Sequence, residues 1–413
     1  MPKNFILTRL VLLGAGIGSM SASARLYNYQ DIVVGERSFG LGGSSMAYLG
    51  DTSAIATNPA ILALDTSAQF SASLSTYNRI DTRTGSYVSL FKSAADNVSR
   101  GGFLAVPSMV GGHFRWGEWT WGGSILVPQA FANSGKIDFS SESSASFESR
   151  QDAVWVGAFL ARKLGARHTV GLTLFYASEN RVEKFAFTDR PAGVNPIIRF
   201  AENAFDANAV LAVLGGSYLI DDHLRLGYSF RTPAIALHGQ GYVQDVASDG
   251  STSTNEEFTT NKLPIPMRLG LGLSWEPSEE MMLTTDLYIY GAWYGDLAPS
   301  RNPALRVDAK ETFNVNLGFE HKVWKRIGYR LGFFTNMSSA AKVPRGLTAL
   351  NDRVHMFGGT GAVFWEKEAG TVSLGGYAQG GQGSSVSLNA PTGGFVPRSN
   401  YVYGFVVGSS YRF

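Results

Sequence analysis

A chain of 413 residues with 35 Lys and Arg against 33 Asp and Glu has a formal net charge of +2, a balance that leaves no electrostatic footprint for a nucleic-acid partner. Beyond residue 24 it holds no uninterrupted apolar run of the roughly 20 residues that a spanning helix needs, although 44% of its residues are hydrophobic; a membrane passage is left only to a closed barrel, whose backbone groups pair between strands. The absence of cysteine fits export through an oxidising compartment.

At the start, Lys3 and Arg9 precede the apolar stretch 10–17, which ends in Ser21, Ala22, Ser23 and Ala24. This pattern predicts a secretory signal peptide over residues 1–24 with an Ala22-x-Ala24 cleavage site, and the stretch is too short for a membrane anchor. Residues 25–65 do not alternate. Segments 39–49 and 53–64 are rich in Gly, Ala and Ser, with Asp51 placed to begin the second of two short helices.

From residue 66 to 413 the apolar residues recur with a period of two, the mark of strands. Met267, Leu269, Leu271, Leu273 and Trp275 alternate with Arg268, Gly270, Gly272 and Ser274, and the same pattern runs through 224–231 and 313–320. Turn residues divide the region into fourteen predicted strands, near 66–79, 101–116, 119–131, 147–164, 167–182, 203–220, 223–240, 260–275, 280–292, 309–323, 327–337, 353–366, 370–382 and 399–413. The last of them puts Tyr401, Tyr403, Phe405, Val407, Tyr411 and Phe413 on one side and Gly404, Gly408, Ser410 and Arg412 on the other.

Six connections are tight, as at Gly117–Glu118 and Asp221–Asp222, and they alternate with seven long ones near 80–100, 132–146, 183–202, 241–259, 293–308, 338–352 and 383–398. Short periplasmic turns and long external loops give this alternation, and an even strand number suits a bacterial single-chain barrel. The expected fold is all-β: a fourteen-stranded antiparallel transmembrane β-barrel over 66–413, in an outer membrane among its lipid and lipopolysaccharide. Such a barrel is wider than its own side chains can fill, so residues 25–65 are expected to form a helical hatch in the lumen at the periplasmic end, the alternative being a periplasmic extension.

Catalytic motifs are lacking. The six histidines, at 113, 168, 223, 238, 321 and 355, show no metal-ligand spacing, and no Gly-x-Ser-x-Gly elbow accompanies them. Gly14, Gly16 and Gly18 mimic part of a nucleotide loop but lie within the signal segment. No cofactor, metal or enzymatic activity is expected.

The hatch segment carries Gly40, Gly42, Gly43 and Ala47, then Asn58, Pro59 and Ala60 just before the first strand. Arg225, Gly227, Phe230, Arg231, Thr232 and Gly239 follow in order, then Leu263, Pro264, Asp286, Gly291, Arg330, Gly332, Asp352 and Arg353. In these residues the chain resembles the long-chain fatty acid transporters of the outer membrane, of FadL type, with Asn58, Pro59 and Ala60 matching the family's Asn-Pro-Ala hatch motif. The resemblance implies a monomer that carries fatty acids or other hydrophobic molecules inward without ATP. Ligand would land between external loops, move to a luminal pocket and leave sideways through a gap made by a kink in the third strand.

Gly122, Gly123 and Pro128 in that strand are the candidates for the gap, since Pro lacks an N–H and Gly favours bulges; the glycines alternatively serve close packing against the hatch. Phe185, Phe187, Val194, Ile197, Ile198 and Phe200 make loop 183–202 apolar enough for a landing surface, whereas the next loop, 245–261, is mainly polar. A ligand carboxylate would find Arg225, Arg231, Arg268 or Arg330 on the inward face, unless these pair with Asp286, Glu320 or the hatch, as buried charges usually do. A transporter of aromatic hydrocarbons shares all of these features, and a docking barrel like the type IX secretion shuttle shares the architecture.

Overall fold

A computed structural model describes residues 27–29, 35–48, 50–84, 96–138, 143–190, 195–248, 250, 253–297, 306–341, 352–386 and 395–413. The predicted signal segment 1–24 lies outside these. The strand segments, in chain order, are β1 (Gln69–Thr84), β2 (Asp96–Trp116), β3 (Trp119–Asp138), β4 (Ser143–Leu164), β5 (His168–Asp189), β6 (Ile197–Leu219), β7 (Leu224–Arg231), β8 (Ile235–Ala247) and β9 (Ser253–Thr260). They continue with β10 (Arg268–Ser278), β11 (Met281–Tyr290), β12 (Trp293–Asp296), β13 (Arg306–Ala309), β14 (Thr312–Trp324), β15 (Ile327–Asn336), β16 (Asp352–Lys367), β17 (Gly370–Val386) and β18 (Phe395–Arg412).

All neighbours pair antiparallel; β1 bonds to both β2 and β18, and the pairing of β5 with β6 closes the wall into a ring. Fourteen positions make up this ring. β7 and β8 share one of them, both pairing with β6, and β9 and β10 share the next. The breaks within these strands fall at 232–234 and 261–267, where Pro233, Pro264 and Pro266 have no N–H to give a ladder.

Each of the fourteen predicted strands lies on an observed one, but the observed strands run further toward the long-loop end. The predicted loop 183–202 is the clearest correction: β5 continues to Asp189 and β6 starts at Ile197, paired residue by residue, so that only 190–196 connects them. Hydropathy could not show this extension because its apolar residues fall on both faces, Phe187 on one and Ile198 and Phe200 on the other, so no one-sided alternation marks it.

Outward positions form an apolar belt. Leu269, Leu271, Leu273 and Trp275 of β10 are exposed while their neighbours Arg268, Gly270, Gly272 and Ser274 are buried. Trp116, Trp324 and Trp365 stand exposed beside tight turns, an aromatic girdle at the short-turn interface. The described residues contain no helix long and apolar enough to cross a membrane; the strands do the crossing.

Inside the ring lie two short helices, α1 (Arg37–Gly40) and α2 (Ala54–Thr57), and a 3₁₀ turn, Pro59–Leu64. The wall leaves room for them by omitting side chains. A Cβ on Gly227 would collide with the Met46 carbonyl, and one on Gly215 with the side chain of Asn58. Further up, the β12–β13 hairpin turns into the lumen, with Leu297 and Val307 buried against Phe205, Val243 and Phe258.

Candidate functional site: a luminal cavity beside a break in the wall

Asn58 explains why the turn after α2 keeps its place. Its Nδ2 donates to Met46 O at 2.7 Å and to Gly216 O of β6 at 2.9 Å, while its Oδ1 accepts from Ala60 N at 3.2 Å. One side chain thus caps the 3₁₀ turn, ties it to the preceding loop and fixes both to the wall. Pro59 stands at the first position of the turn, where its missing N–H is no loss, and Ala60 is fully buried.

A second tie is ionic. Glu320 of β14 accepts from Arg37 Nε at 3.0 Å and Nη2 at 2.7 Å and from Arg330 Nε at 2.6 Å. Arg330 Nη1 donates to Glu36 Oε1 at 2.7 Å, and the same carboxylate accepts from Ser373. Two arginines and two glutamates therefore balance one another, and the pull of Glu320 holds the Arg37 guanidinium above its ordinary range against the opposing effect of burial. Asp286, expected as a partner for a luminal arginine, instead accepts the Ser45 and Met46 amides at 2.7 and 3.1 Å.

These ties remove Arg330 from the set of arginines open to a ligand. Arg225 is half buried near the turn that follows β6. Arg231 and Arg268 are different: they are opposite each other across β7 and β10, both 7% exposed, and neither pairs with a carboxylate among the described residues. Arg231 Nη2 donates to Pro266 O at 3.1 Å and Arg268 Nη2 to Ala56 O at 2.8 Å, while both Nε atoms lack a partner. Aromatic faces flank them, with Arg231 5.5 Å from the Trp155 ring and 5.9 Å from Tyr290, and Arg268 4.9 Å from Tyr288.

Between these side chains and the luminal segment 38–57 lies a cavity of about 110 Å³, and a second lobe of about 60 Å³ shares Tyr29, Pro128, Trp155 and Arg231 with it. The aromatic members were not legible as site residues. Trp155 lies on β4, where the outward Val154 and Val156 are as apolar as the inward Ala153, Trp155 and Phe159, so the alternation that marks a strand gave no sign of which face carried the pocket.

Pro128 places the cavity against a discontinuity in the wall. Between Leu126 and Gln129 the β3–β4 register slips, two residues of β3 opposing the single Val154. On the other side, β2 and β3 pair only from Trp116–Trp119 to Met109–Leu126, although both strands continue well beyond. Pro107 of β2, unremarked in the sequence reading, borders the same gap. Gly122 and Gly123 stand lower, in regular pairs with His113 and Gly112, and the space at Gly122 is filled by the ring of Phe159.

The proposed landing residues lie on the β5–β6 hairpin. Phe187 pairs with Arg199 and Ile198 with Thr188, so Phe187 and the exposed Ile198 occupy opposite faces, with half-buried Phe200 on the side of Ile198. The side chains of Phe185 and Ile197 lie outside the described set.

No protein-family model and no curated relative matches this chain. Its structure is similar to that of a FadL homologue from Pseudomonas aeruginosa, with a TM-score of 0.75 at 11% identity over 94% of this chain and 100% of the other. The toluene transporter TodX of Pseudomonas putida superimposes with a TM-score of 0.65 at 15% identity, covering 94% and 100%. For the toluene transporter TbuX of Ralstonia pickettii the TM-score is 0.59 at 16% identity, covering 92% and 98%. The chain has the fold of the FadL-type barrels.

Proposed function

We propose that this chain is a passive channel of a bacterial outer membrane that carries hydrophobic small molecules, long-chain fatty acids or aromatic compounds among them, from the long-loop side to the bilayer. The observation that carries this reading is the junction at Pro128, where a luminal cavity meets the place at which β2 and β3 cease to bond. An apolar molecule leaving there passes from an aromatic pocket into lipid and is never surrounded by water, which is where its free energy is highest. The similarity to solved FadL-type and toluene-transporter barrels supports the same reading.

In this scheme the upper hairpin surfaces collect ligand, the cavity holds it, and the hatch of residues 25–65 closes the periplasmic end so that traffic is diverted sideways. Asn58 and the Glu36–Arg37–Glu320–Arg330 cluster hold that hatch shut. Uptake of radiolabelled oleate and of radiolabelled toluene by cells with and without the protein tests the proposal. Faster accumulation of either supports it; identical rates for both substrates defeat it.

A further inference from the structure

Two buried guanidinium groups side by side, neither bonded to a carboxylate among the described residues, make up an unusual wall for a pocket meant for hydrocarbon. Like charges at close range repel, and taking each out of water costs more unless something negative joins them. A guanidinium carries five N–H donors, and Arg231 and Arg268 each spend one on a backbone carbonyl, leaving the Nε atoms bare. The indole Nε1 of Trp155, which lines both lobes, is likewise buried and unpaired. Every one of these orphans is a donor, so what completes the pocket is an acceptor, and beside two cations it is an anion.

Glu179 lines the smaller lobe and accepts from Gln151 Nε2 at 2.7 Å, and Asp286 takes the Ser45 and Met46 amides and the Tyr288 hydroxyl on Oδ2 while its Oδ1 stays unpaired; neither carboxylate bonds to Arg231 or Arg268. One side of the lining is aromatic, with Tyr29 stacked on Tyr290 at 4.8 Å between centroids and Trp155 tilted against Phe175 at 5.6 Å, and the other side is made of small and polar residues such as Ser45, Ser53, Ala56 and Thr57. Size narrows the choice. An engineered cavity of about 150 Å³ holds benzene, while drug-sized ligands fill clefts of about 300 to 1,000 Å³; lobes of about 110 and 60 Å³ suit one ring with a small polar group better than a long acyl chain.

Resting on the transport reading, we infer that the luminal pocket is a binding site for a compact aromatic carboxylate, its carboxylate bridging Arg231 and Arg268 and its ring lying among Trp155, Tyr288 and Tyr290 toward Pro128. Trp155 and the tyrosines supply flat faces for the ring, and the arginines select the acid over the parent hydrocarbon.

Calorimetry on the purified full-length barrel, with benzoate, the neutral isostere benzamide, toluene and oleate as probes, tests the inference. Benzoate is expected to bind at least about tenfold more tightly than benzamide, the scale of a charge-assisted hydrogen bond. Arg231→Gln and Arg268→Gln should each erase that preference, lowering benzoate affinity to that of benzamide. The comparison of benzoate with benzamide needs no variant, so it stands even if a substitution prevents folding. Equal binding of the two probes, or a preference for the acid that survives in the double variant, overturns the assignment; oleate displacing benzoate at lower concentration overturns the compact-ring part of it. Toluene or oleate uptake with no benzoate preference leaves the transport reading intact and refutes only this inference, whereas benzoate binding without uptake of any probe refutes transport alone.

Discussion

Closing the gap between β2 and β3 should stop lateral release without emptying the pocket. Deleting Pro128 leaves Val127 opposite Val154 and restores one-to-one register with β4, since Leu126 already faces Trp155 and Gln129 already faces Ala153. Replacing Pro107 by Val returns the donor missing on the β2 side. The Met109–Leu126 rung can then be followed by further rungs, for which both strands supply residues up to Asp96 and Asp138. Three new rungs at about 1 kcal/mol each amount to about 3 kcal/mol, which shifts an open-to-closed equilibrium by about 150-fold. Because unpaired backbone within a bilayer costs more than in water, this is a lower bound. Initial rates of oleate and toluene uptake by cells expressing equal amounts of wild-type and doubly altered barrel measure the effect, and hydrogen exchange at 127–138 verifies that the new rungs form. Uptake within twofold of wild type, with those amides protected, would refute lateral exit at this point.

The hatch makes three further predictions. Glu320→Gln leaves Arg37 and Arg330 to share Glu36, a loss of about 3 to 5 kcal/mol for a broken buried pair; exchange of amides 36–45 should accelerate by at least about a hundredfold, and bursts of conductance should appear in planar bilayers. Asn58→Ala leaves Met46 O without its donor and Ala60 N without its cap, at about 1 to 3 kcal/mol for each buried group left unpaired, so limited proteolysis should cut within 46–60 where the native protein resists. Hatch stability should also respond to pH in two opposite ways. Burial and the nearby charge of Glu36 push the Asp51 carboxyl up, so acidification through its raised value relieves a penalty and stabilises the closed hatch, an effect that Asp51→Asn should abolish. Burial also pushes Asp65 up, but its bonds from His113 and Ser67 outweigh this and hold it well below the usual range; its contribution is complete above the ordinary aspartate value near about 3.9 and fades only in stronger acid. Exchange of hatch amides followed from neutral to acid pH should therefore slow before it quickens.

That fourteen strands follow residue 66 and, for most of them, which side is apolar could be read from order along the chain, because a strand's period of two is local; the strands' long-loop ends and the inward face of β4 could not. Asn58, Pro59 and Ala60 stood out only through their resemblance to the FadL-type hatch motif, and the cap that Asn58 makes on the turn is seen in the structure alone. Partnership was not legible. Arg231 and Arg330 read alike as inward cations, yet one meets Glu320 and Glu36 and the other meets Trp155 and Tyr290, a difference set by which strands the closed wall brings opposite which part of the hatch. The pocket follows the same rule. Its arginines, aromatic rings and bordering prolines come from strands far apart in sequence, and only the curvature of the ring, with the hatch docked on its glycines, brings them around one space.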